Sequence, residues 1–463
     1  MLLWEYIREK MRAHPKQVVC ENQASMTYED LCIFAENYAK KLTADYYGIY
    51  CNSEMAAAMM ILACIAAGKP VIPFPVRYGR ETCVKIWERA TPPYMITDFE
   101  KNLNPTPIST GRRSKALPPS AAVVLFTSGS TGSPKGIMLT EKNLLANMKD
   151  ISSYFPIDTE DTILISRPLY HSSVLTGEFL ISLCAGAKIV FSSKAFQPLH
   201  ILNIMKENRV TAFGSTPTLL TALSRFVRKP EELSVQLLSI SGECITDGMA
   251  KTIRRAFPTA AVYCGYGLSE ASPRVAYLPP EMFDSTPTSA GQALPSVKVK
   301  ILRDNGQEAS RGEIGEVVVK GPNVMKGYFG DTARTKAVQK NGWLCTGDLG
   351  CIGTDGLLYI KGRKDDMIIR AGMNIYPAEI ENTLSQDSRC RDVQAYGYEK
   401  NGTQEIGIAI SGDFSSPEDV LQLCRERLPG YQIPTKIELV KEGERLAGGK
   451  RKRLRGYVDG TRD

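Results

Sequence analysis

A predicted buried strand that runs directly into a loop of glycine and hydroxyl residues constrains this chain more than any other feature. Residues 121–124 are apolar, and residues 125–136 read Leu-Phe-Thr-Ser-Gly-Ser-Thr-Gly-Ser-Pro-Lys-Gly. Such a loop presents backbone N–H groups and rotatable hydroxyls that suit a phosphate, and Lys135 adds a positive charge. The spacing is not that of a Walker P-loop. Because Gly/Ser/Thr clusters are also common in plain surface loops, the loop alone leaves both interpretations open.

Alternating strand and helix patterns predict the fold class. From residue 54 to about 265, short β-rich runs alternate with helical patterns, which indicates parallel α/β sheets. After residue 296, short strands separated by turns at hairpin spacing indicate a small antiparallel β region. The prediction is an α/β protein with a large N-terminal domain, residues 1–364, made of parallel α/β sheets plus this small β region. Residues 365–463 are predicted to form a smaller, mobile C-terminal α+β domain.

Length and composition exclude several classes of protein. The 463 residues are 43% hydrophobic and 23% charged, as in ordinary globular proteins rather than disordered or fibrous ones. The net charge of +7 tolerates an anionic substrate without requiring nucleic acid. Five of the six residues 450–455 are basic, but the stretch has no interleaved aromatic residues, so we expect no nucleic-acid partner. Only three histidines are present, which excludes a histidine-rich metal site.

The sequence also predicts where the chain resides. Its longest apolar run, residues 55–67, is too short to span a bilayer, so no membrane span is expected. The N-terminus carries charges where a signal peptide needs an apolar core, and it instead predicts an amphipathic helix with Leu3, Ile7 and Met11 on one face. Twelve cysteines without a C-x-x-C pair favour reduced thiols, and we expect a cytoplasmic protein.

A second glycine-rich segment, residues 265–270, follows an apolar run that predicts a strand. It reads Gly-Tyr-Gly-Leu-Ser-Glu, and α/β sheets bind ligands at the carboxyl ends of their strands. Tyr266 offers a flat face for a base, and the Glu270 carboxylate is a hard ligand suited to Mg²⁺. A glycine-rich turn with an exposed glutamate is the structural alternative.

Two further segments carry polar groups suited to a nucleotide. Asp348 ends a Thr-Gly-Asp sequence, and a carboxylate that accepts two hydrogen bonds matches a ribose diol, although an aspartate in a turn is common. Residues 242–244, Gly-Glu-Cys, follow a predicted strand and are explained equally well as a simple loop. His171, in Pro-Leu-Tyr-His, is the histidine with a candidate function, although a lone histidine is more often structural.

In order along the chain, these segments resemble the signatures of the adenylate-forming enzymes. That superfamily includes acyl-CoA synthetases, adenylation domains of non-ribosomal peptide synthetases and luciferases, and the resemblance spans residues 25–455 and is closest to the AMP-forming acyl-CoA ligases. It implies a nucleotide site formed by Thr127, Ser128, Gly129, Ser130, Thr131, Gly132, Lys135, Gly242, Glu243, Cys244, Gly265, Tyr266, Gly267, Ser269, Asp348, Arg363 and Lys450. It implies a catalytic set of Lys450, Thr127, Lys135, Glu270 and His171, with Glu270 and Thr127 as metal ligands. Cys244 departs from the family, which usually has proline there.

The resemblance also assigns roles near the C-terminus. Asp365 corresponds to a hinge, Gly372 to the loop of the thioester-forming step, and Lys450 to the lysine that reaches the α-phosphate and the carboxylate. His171 corresponds to the wall that binds the carboxylate. Amino-acid-activating relatives place an aspartate about here to hold the substrate's ammonium group; none occurs between residues 167 and 177, so an amino-acid substrate is disfavoured.

The predicted reaction is ATP-dependent activation of a carboxylic acid to an acyl-adenylate with release of pyrophosphate, followed by transfer to the thiol of CoA. The implied cofactors are ATP, Mg²⁺ and CoA. One alternative is an adenylation enzyme that loads the phosphopantetheine of an acyl or peptidyl carrier protein, and another is an inactive nucleotide-binding sensor. A P-loop kinase is contradicted by the loop spacing. The sequence admits both aryl and aliphatic acids.

Overall fold

The computed structural model describes residues 2–99, 102–111, 117–118, 120–127, 134–192, 194, 196–370, 373–400, 403–440, 446–447 and 450–451. Its architecture is mixed α/β, in agreement with the predicted fold class. Two large sheets and a smaller antiparallel one make up the region before residue 364, and smaller sheets with two helices follow.

A nine-stranded sheet carries most of the candidate site at the carboxyl ends of its strands. Its six central strands are mutually parallel, and its outer pairings are antiparallel. Helices cross between these strands, which is the connection that parallel strands require. In spatial order the strands are Gln292–Ala293, Arg274–Leu278, Ala261–Gly267, Leu237–Ser241, Ala212–Ser215, Thr162–Ile165, Lys188–Phe191, Val18–Glu21 and Ala24–Thr27.

A seven-stranded sheet holds the glycine/hydroxyl loop. In spatial order its strands are Gly327–Tyr328, Lys135–Thr140, Ala121–Thr127, Val71–Pro73, Tyr47–Tyr50, Tyr94–Phe99 and Asn102–Ser109. The strand Lys135–Thr140 was absent from the sequence analysis; it pairs antiparallel with Ala121–Thr127, with Thr127 opposite Lys135. The strands on either side of residues 128–133 are therefore paired with each other as in a hairpin.

The helices bury the apolar patterns seen in the sequence. The apolar run 55–67 lies almost entirely in one helix whose residues 54–65 are all buried. Leu3, Ile7 and Met11 are each 0% exposed on the N-terminal helix, as the periodicity predicted. In the described part of the chain, no helix is long and apolar enough to cross a membrane. The helices are Leu3–Ala13, Tyr28–Ala39, Glu54–Ala66, Arg80–Ala90, Glu141–Ser152, Ser172–Val174, the π-helix Leu175–Leu180, Ile181–Ala185, Pro198–Glu207, Pro217–Ser224, Asp247–Ala256, Thr332–Val338, Pro377–Ser385 and Pro417–Arg427.

The predicted antiparallel β region is present as a five-stranded sheet. Every pairing in it is antiparallel. Its strands are Lys298–Leu302, Gly315–Lys320, Trp343–Ile352, Gln339–Lys340 and Leu358–Arg363. The last of these leads into the polar segment that contains Asp365.

Residues after 367 have a hydrophobic core of their own. Ile368, Ile380, Ile408 and Leu423 are buried together in a cluster separate from those of the large sheets. The strands here are Ile368–Arg370, Met373–Ile375, Cys390–Lys400, Thr403–Gly412 and Lys436–Leu439. Two short strands, Leu446–Ala447 and Lys450–Arg451, pair with each other. The backbone of the second lies within 8 Å, Cα to Cα, of the helix Pro217–Ser224.

Candidate active site

The site begins where the strand Ala261–Gly267 ends. The sequence analysis placed a turn from Gly265 onward, but Gly265 to Gly267 are still in the strand, and the short 3₁₀ turn Ser269–Ala271 follows. Gly267 must lack a side chain, because a Cβ there would lie 1.9 Å from the carbonyl oxygen of Pro273 on the returning strand. The turn leaves the Glu270 side chain only 9% exposed, so the alternative of an exposed glutamate is wrong.

Glu270 lies at the centre of what we call the Lys135 group, formed by Lys135, Glu270 and Tyr328. The Lys135 Nζ lies 2.5 Å from Glu270 Oε1, and the Tyr328 hydroxyl donates to the same oxygen at 2.8 Å. Burial acts to raise the pKa of Glu270, but the Lys135 charge and the two hydrogen bonds outweigh it and leave that pKa lowered. Glu270 is therefore held as a carboxylate. Tyr328 in turn has a raised pKa because of burial and the neighbouring carboxylate.

Asp348 lies at the centre of a second cluster, the Asp348 group, formed by Tyr266, Asp348 and Arg363. The Tyr266 hydroxyl donates to Asp348 Oδ2 at 2.6 Å, and Arg363 Nη1 donates to Oδ1 at 2.9 Å. Burial raises the pKa of Asp348, although Arg363 and Tyr266 oppose the effect. Gly347 makes room for this arrangement, because its φ is +72° and a Cβ would lie 2.9 Å from Arg363 Nη2.

The two groups lie close enough together for their charges to interact, and we call the region between them the cleft. Burial is the largest cause of the raised pKa of Asp348, and Arg363 opposes it. The Glu270 carboxylate adds to the effect of burial. It also helps to raise the pKa of Arg363, against the effect of burial. Such effects require the two carboxylates and both cations to lie within electrostatic reach of one another. Four residues that are far apart in the sequence are thus brought together as predicted.

Of the loop residues predicted to bind phosphate, Thr127 and Lys135 lie opposite each other, at the ends of the two strands that flank residues 128–133. The Thr127 Oγ1 is buried and has no hydrogen-bond partner among the described residues. Five predicted nucleotide-binding residues lie outside the described part of the chain: Ser128, Gly129, Ser130, Thr131 and Gly132.

The segment 242–244 lies at the carboxyl end of the strand Leu237–Ser241. Gly242 has a φ of +98°, which favours glycine. The Glu243 carboxylate accepts hydrogen bonds from the backbone N–H of Thr218 at 3.2 Å and from its hydroxyl at 2.6 Å. It therefore stabilises the first turn of the helix Pro217–Ser224, where a carboxylate complements the helix dipole. Cys244 is exposed.

His171 lies beside the turn that carries Glu270. It directly precedes the helical turn Ser172–Val174, and its ring packs against Tyr170 with centroids 4.1 Å apart. The hydroxyls of Ser172 and Ser269 are 3.0 Å apart. His171, Ser269 and Glu270 are thus grouped at one edge of the cleft.

The C-terminal candidates are described only in part. Asp365 lies in the short turn Lys364–Asp366, directly after the strand that ends at Arg363. The backbone of Lys450 lies in the strand beside the helix Pro217–Ser224. Gly372 lies outside the described residues.

Tyr328 is a site residue that sequence reasoning missed. It lies outside the segments that the sequence analysis singled out. Its position depends on an antiparallel pairing opposite Ile137, which places it next to Lys135. Only the sheet topology carries that information.

The described residues fit a nucleotide with magnesium. Mg²⁺ is usually bound by one or two carboxylates together with substrate phosphates, and the Glu270 carboxylate and the unpartnered Thr127 hydroxyl are oxygen donors of that kind. Within the described ranges, no three His, Cys, Asp or Glu residues could hold a metal ion alone. A metal at this site would therefore share the ligand's oxygens.

Comparisons with known proteins agree with this geometry. The model of the family described as "AMP-binding enzyme" matches residues 7–329. An indoleacetate–CoA ligase from Aromatoleum aromaticum is 31% identical over 371 residues, which is 78% of this chain and 71% of that protein. The structure of o-succinylbenzoate CoA synthetase from Bacillus subtilis with its acyl-adenylate intermediate matches with a TM-score of 0.83, 26% identity and 97% coverage of each chain. The same enzyme with ATP and magnesium matches with a TM-score of 0.82 and 26% identity, over 96% of this chain and 98% of that one.

Proposed function

This chain belongs to the AMP-binding enzyme family, and from that premise we propose which of its residues carry the chemistry. It is an AMP-forming acid–thiol ligase: it activates a carboxylic acid with ATP, releases pyrophosphate and transfers the acyl group to CoA. The observation that carries the proposed roles is the shared cleft of the Lys135 group and the Asp348 group. It supplies two cations and two carboxylates where a nucleotide and an acid must meet.

The chemical obstacle is repulsion between two anions. A carboxylate that attacks the α-phosphorus meets a negatively charged phosphate, which costs about 1 kcal/mol at 4 Å in water and several times that in a protein site. Positive groups fixed in the site offset this cost where charge develops. Lys135 neutralises the leaving pyrophosphate, and Lys450 neutralises the α-phosphate. No general base is required, because the substrate carboxylate is already ionised at pH 7.

Other residues bind the ribose and the metal ion. Asp348 accepts hydrogen bonds from the ribose hydroxyls, and Arg363 fixes its orientation from the far side. Glu270 and the Thr127 hydroxyl would hold magnesium, which would supply charge neutralisation of the phosphates. The Glu270 carboxylate forms an ion pair with Lys135. Both groups of that pair would have to exchange it for new partners when a nucleotide binds.

The second half-reaction uses a different arrangement of two domains, residues 1–364 and 365–463. Asp365 is the hinge, which suits its place in a polar turn between the β region and the separate C-terminal core. Rotation about it withdraws Lys450 and brings the Gly372 segment to the acyl-adenylate, where a thiol displaces AMP. In the described arrangement the Lys450 backbone lies beside a helix of the large domain, which supports adenylation as the half-reaction it serves.

Free CoA is the acceptor, and loading of a carrier protein is the second possibility. Thioester formation measured in parallel with CoA and with a phosphopantetheinylated carrier protein separates them. A cytoplasmic location stays a prediction.

The proposed roles are tested by pyrophosphate exchange into ATP across aryl, short, medium and long acids. Exchange with at least one acid is expected, and Lys135→Ala should lower it at least about 10²-fold. Lys300→Ala is the matched control, because Lys300 also forms a 2.5 Å ion pair with a glutamate but at the surface. Equal losses in the two variants would contradict the role given to Lys135.

A further inference from the structure

Arg274 is a buried cation whose described partners are all neutral. It is 2% exposed, and its Nη2 donates to the hydroxyl of Ser239 at 3.2 Å. Its guanidinium also contacts the Tyr154 hydroxyl. Its Nε finds no hydrogen-bond partner among the described residues, and no described carboxylate comes within 4 Å of it. A buried charge without a counter-charge is costly, so its presence here requires a reason.

The buried Arg167 shows the contrast. It is 5% exposed, and it forms an ion pair with Glu178, itself 1% exposed. Glu178 in turn lies against Gly214, where a Cβ would meet its carboxyl group. The charges of Arg167 and Glu178 therefore neutralise each other. Arg274 therefore leaves one net positive charge in the interior behind the strand ends.

The walls around Arg274 are built from residues with small side chains. A Cβ on Gly265 would lie 2.8 Å from Arg274 Nε, and a Cβ on Gly177 would lie 3.5 Å from its Nη2. The guanidinium thus lies between the end of the strand Ala261–Gly267 and the π-helix Leu175–Leu180. A π-helix turn is uncommon and occurs frequently at functional sites.

Hydroxyl groups line the same face of the sheet. Ser241 pairs in register with Gly265, and Ser239 lies two residues earlier on the same strand, so these side chains point to one side. The Ser241 Oγ is buried and has no hydrogen-bond partner in the part of the chain that is described. We call Gly177, Ser239, Ser241, Gly265 and Arg274 the Arg274 compartment. It combines the Arg274 cation with a Ser241 hydroxyl that has no hydrogen-bond partner among the described residues.

The charged groups nearest to the compartment do not neutralise it. Burial raises the pKa of Tyr154, and the Arg274 charge opposes that effect, so the phenol stays neutral at physiological pH. Asp150 also raises the pKa of Tyr154. Its carboxylate, however, accepts a hydrogen bond from the Ser296 hydroxyl at 2.5 Å. Burial raises the pKa of Asp150 as well. The anion that complements Arg274 is thus not found among these neighbours.

The compartment adjoins the place where the acid must react. Ser172 contacts Ser269 beside Glu270, and Gly177 follows five residues later on the same helical segment. Gly177, which lies against the guanidinium, is thus about one helical turn along the chain from that contact. An acid whose reacting carboxylate lies near His171 and whose chain follows this helix ends at Arg274.

We propose that the acid carries a second carboxylate and that Arg274 binds it, so that the substrate class is a dicarboxylic acid. This inference rests on the proposed function. The guanidinium offers a planar fork that matches a carboxylate with two parallel hydrogen bonds. The bound carboxylate stays unchanged, while the other one attacks the α-phosphorus.

A site built to pair with a polar group rejects an analogue that lacks it, because its own buried groups are then left unpaired. The test therefore compares matched acids on the unaltered enzyme: succinate with butyrate, adipate with hexanoate, suberate with octanoate, and each diacid with its monomethyl ester. We expect kcat/KM of pyrophosphate exchange to be at least about 10²-fold higher for one diacid than for its monoacid and its ester.

Variants then assign the effect to Arg274. Arg274→Met should lower kcat/KM for the preferred diacid at least about 10²-fold without lowering it for the monoacid, and Arg274→Lys should restore part of the preference. Arg311→Met is the control, because Arg311 is exposed on the β region. Binding of ATP and the melting temperature report whether each variant is folded. If Arg274→Met does not fold, the comparison on the unaltered enzyme decides.

The outcomes distinguish the inference from the function on which it rests. Monoacids activated as well as or better than their diacids would overturn the inference and leave the ligase function standing. Exchange with none of the acids, diacids included, would contradict both.

Discussion

Lys135 and Glu270, 135 residues apart in the sequence, form an ion pair with 2.5 Å between Nζ and Oε1. Lys135 begins the second strand of the hairpin, and Glu270 lies in the turn after a strand of the other large sheet. The pair therefore joins the two sheets across the cleft. Each group neutralises the other, and under the proposed function a triphosphate with its metal would compete with this ion pair for both of them.

Glu270→Gln should weaken the use of magnesium more than the binding of the acid. The amide keeps the size of the side chain but loses the charge that a hard cation requires. We expect the Mg²⁺ concentration for half-maximal pyrophosphate exchange to rise at least about 10-fold, with a lower kcat. The matched control is Glu308→Gln, which removes the carboxylate of an equally short ion pair at the surface. An unchanged magnesium dependence would rule out Glu270 as a ligand.

Asp348→Asn should raise KM for ATP and change stability little. The amide cannot accept from both Tyr266 and Arg363 as the carboxylate does, nor from a ribose hydroxyl with comparable strength. Hydrogen bonds to charged groups contribute about 1.5–3 kcal/mol, so KM should rise about 10- to 100-fold. The unfolding free energy should change by less than about 1 kcal/mol, because Arg363 is 42% exposed and because losing the pair also relieves the burial of charge that raises the pKa of Asp348.

Steady-state kinetics and urea unfolding measure the two effects. Asp355→Asn is the control, because Asp355 accepts from Tyr359 at 2.7 Å in an exposed hairpin turn away from the cleft. A rise of KM in both variants alike would show that the effect is not specific to the nucleotide site.

The local sequence pattern was sufficient to predict helices and strands whose buried residues recur with a single period. The local sequence predicts the strand Lys188–Phe191 and the helices Pro377–Ser385 and Pro417–Arg427 with the same bounds that the structure has. Each is bounded by a proline, glycine or polar residue that stops the pattern. The strand Lys135–Thr140 was missed because a lysine and a glycine open it. Its existence depends on pairing with the preceding strand.

The residues of the candidate site likewise fall into those that a local sequence pattern predicts and those that it does not. The glycine in Thr-Gly-Asp carries a local signal, since Gly347 has a φ of +72°, which favours glycine. Tyr328 and Arg274 carry none, because their roles arise from strands that meet only in the folded protein. The local sequence therefore does not predict which distant residues will contact each other.

Glu54→Gln should remove a pH dependence of stability. Burial raises the pKa of Glu54 to about 7, against the opposing effects of Arg77 and of the Leu169 N–H. The folded state thus holds a proton that the unfolded state releases above about pH 4.5. Stability is highest below that pH and falls as the pH rises towards 7. Relative to the variant, the unaltered protein should lose about 2–3 kcal/mol of unfolding free energy between pH 5 and pH 8.

Urea unfolding at four pH values across that range measures the difference between the two proteins, which cancels other titrating groups. Glu313→Gln serves as control, because Arg303 holds the pKa of Glu313 below its usual range and it does not titrate there. A constant difference between the unaltered protein and Glu54→Gln would contradict the raised pKa.

Lys450→Ala should separate the two half-reactions. Pyrophosphate exchange is expected to fall at least about 10²-fold, because a positive group at the α-phosphate is lost. Thioester formation from supplied acyl-adenylate and CoA should be unaffected, because the proposed rotation would move Lys450 away in that step. Lys400→Ala, at an exposed strand end, should change neither. Equal losses in both half-reactions would contradict the two-arrangement mechanism.

Gly248→Ala tests the proposed arrangement of residues 1–364 and 365–463 without touching the site. A Cβ on Gly248 would lie 2.4 Å from the backbone carbonyl oxygen of Ser385, so the helices Asp247–Ala256 and Pro377–Ser385 would have to separate. The Asp247 N–H donates to Asn382 Oδ1 at 3.1 Å in the same contact, and that bond would also be strained. The substitution should therefore disfavour the arrangement that holds Lys450 near the large domain.

We expect Gly248→Ala to slow pyrophosphate exchange about 10-fold, since roughly 1.4 kcal/mol against the adenylation arrangement gives that factor. Thioester formation from supplied acyl-adenylate should keep its rate or increase, because the competing arrangement is weakened. Gly430→Ala is the matched control, because a Cβ there meets nothing within 4 Å. If Gly248→Ala slowed the second half-reaction and spared the first, the contact between these helices would belong to thioester formation, and the assignment of Lys450 to this arrangement would be wrong.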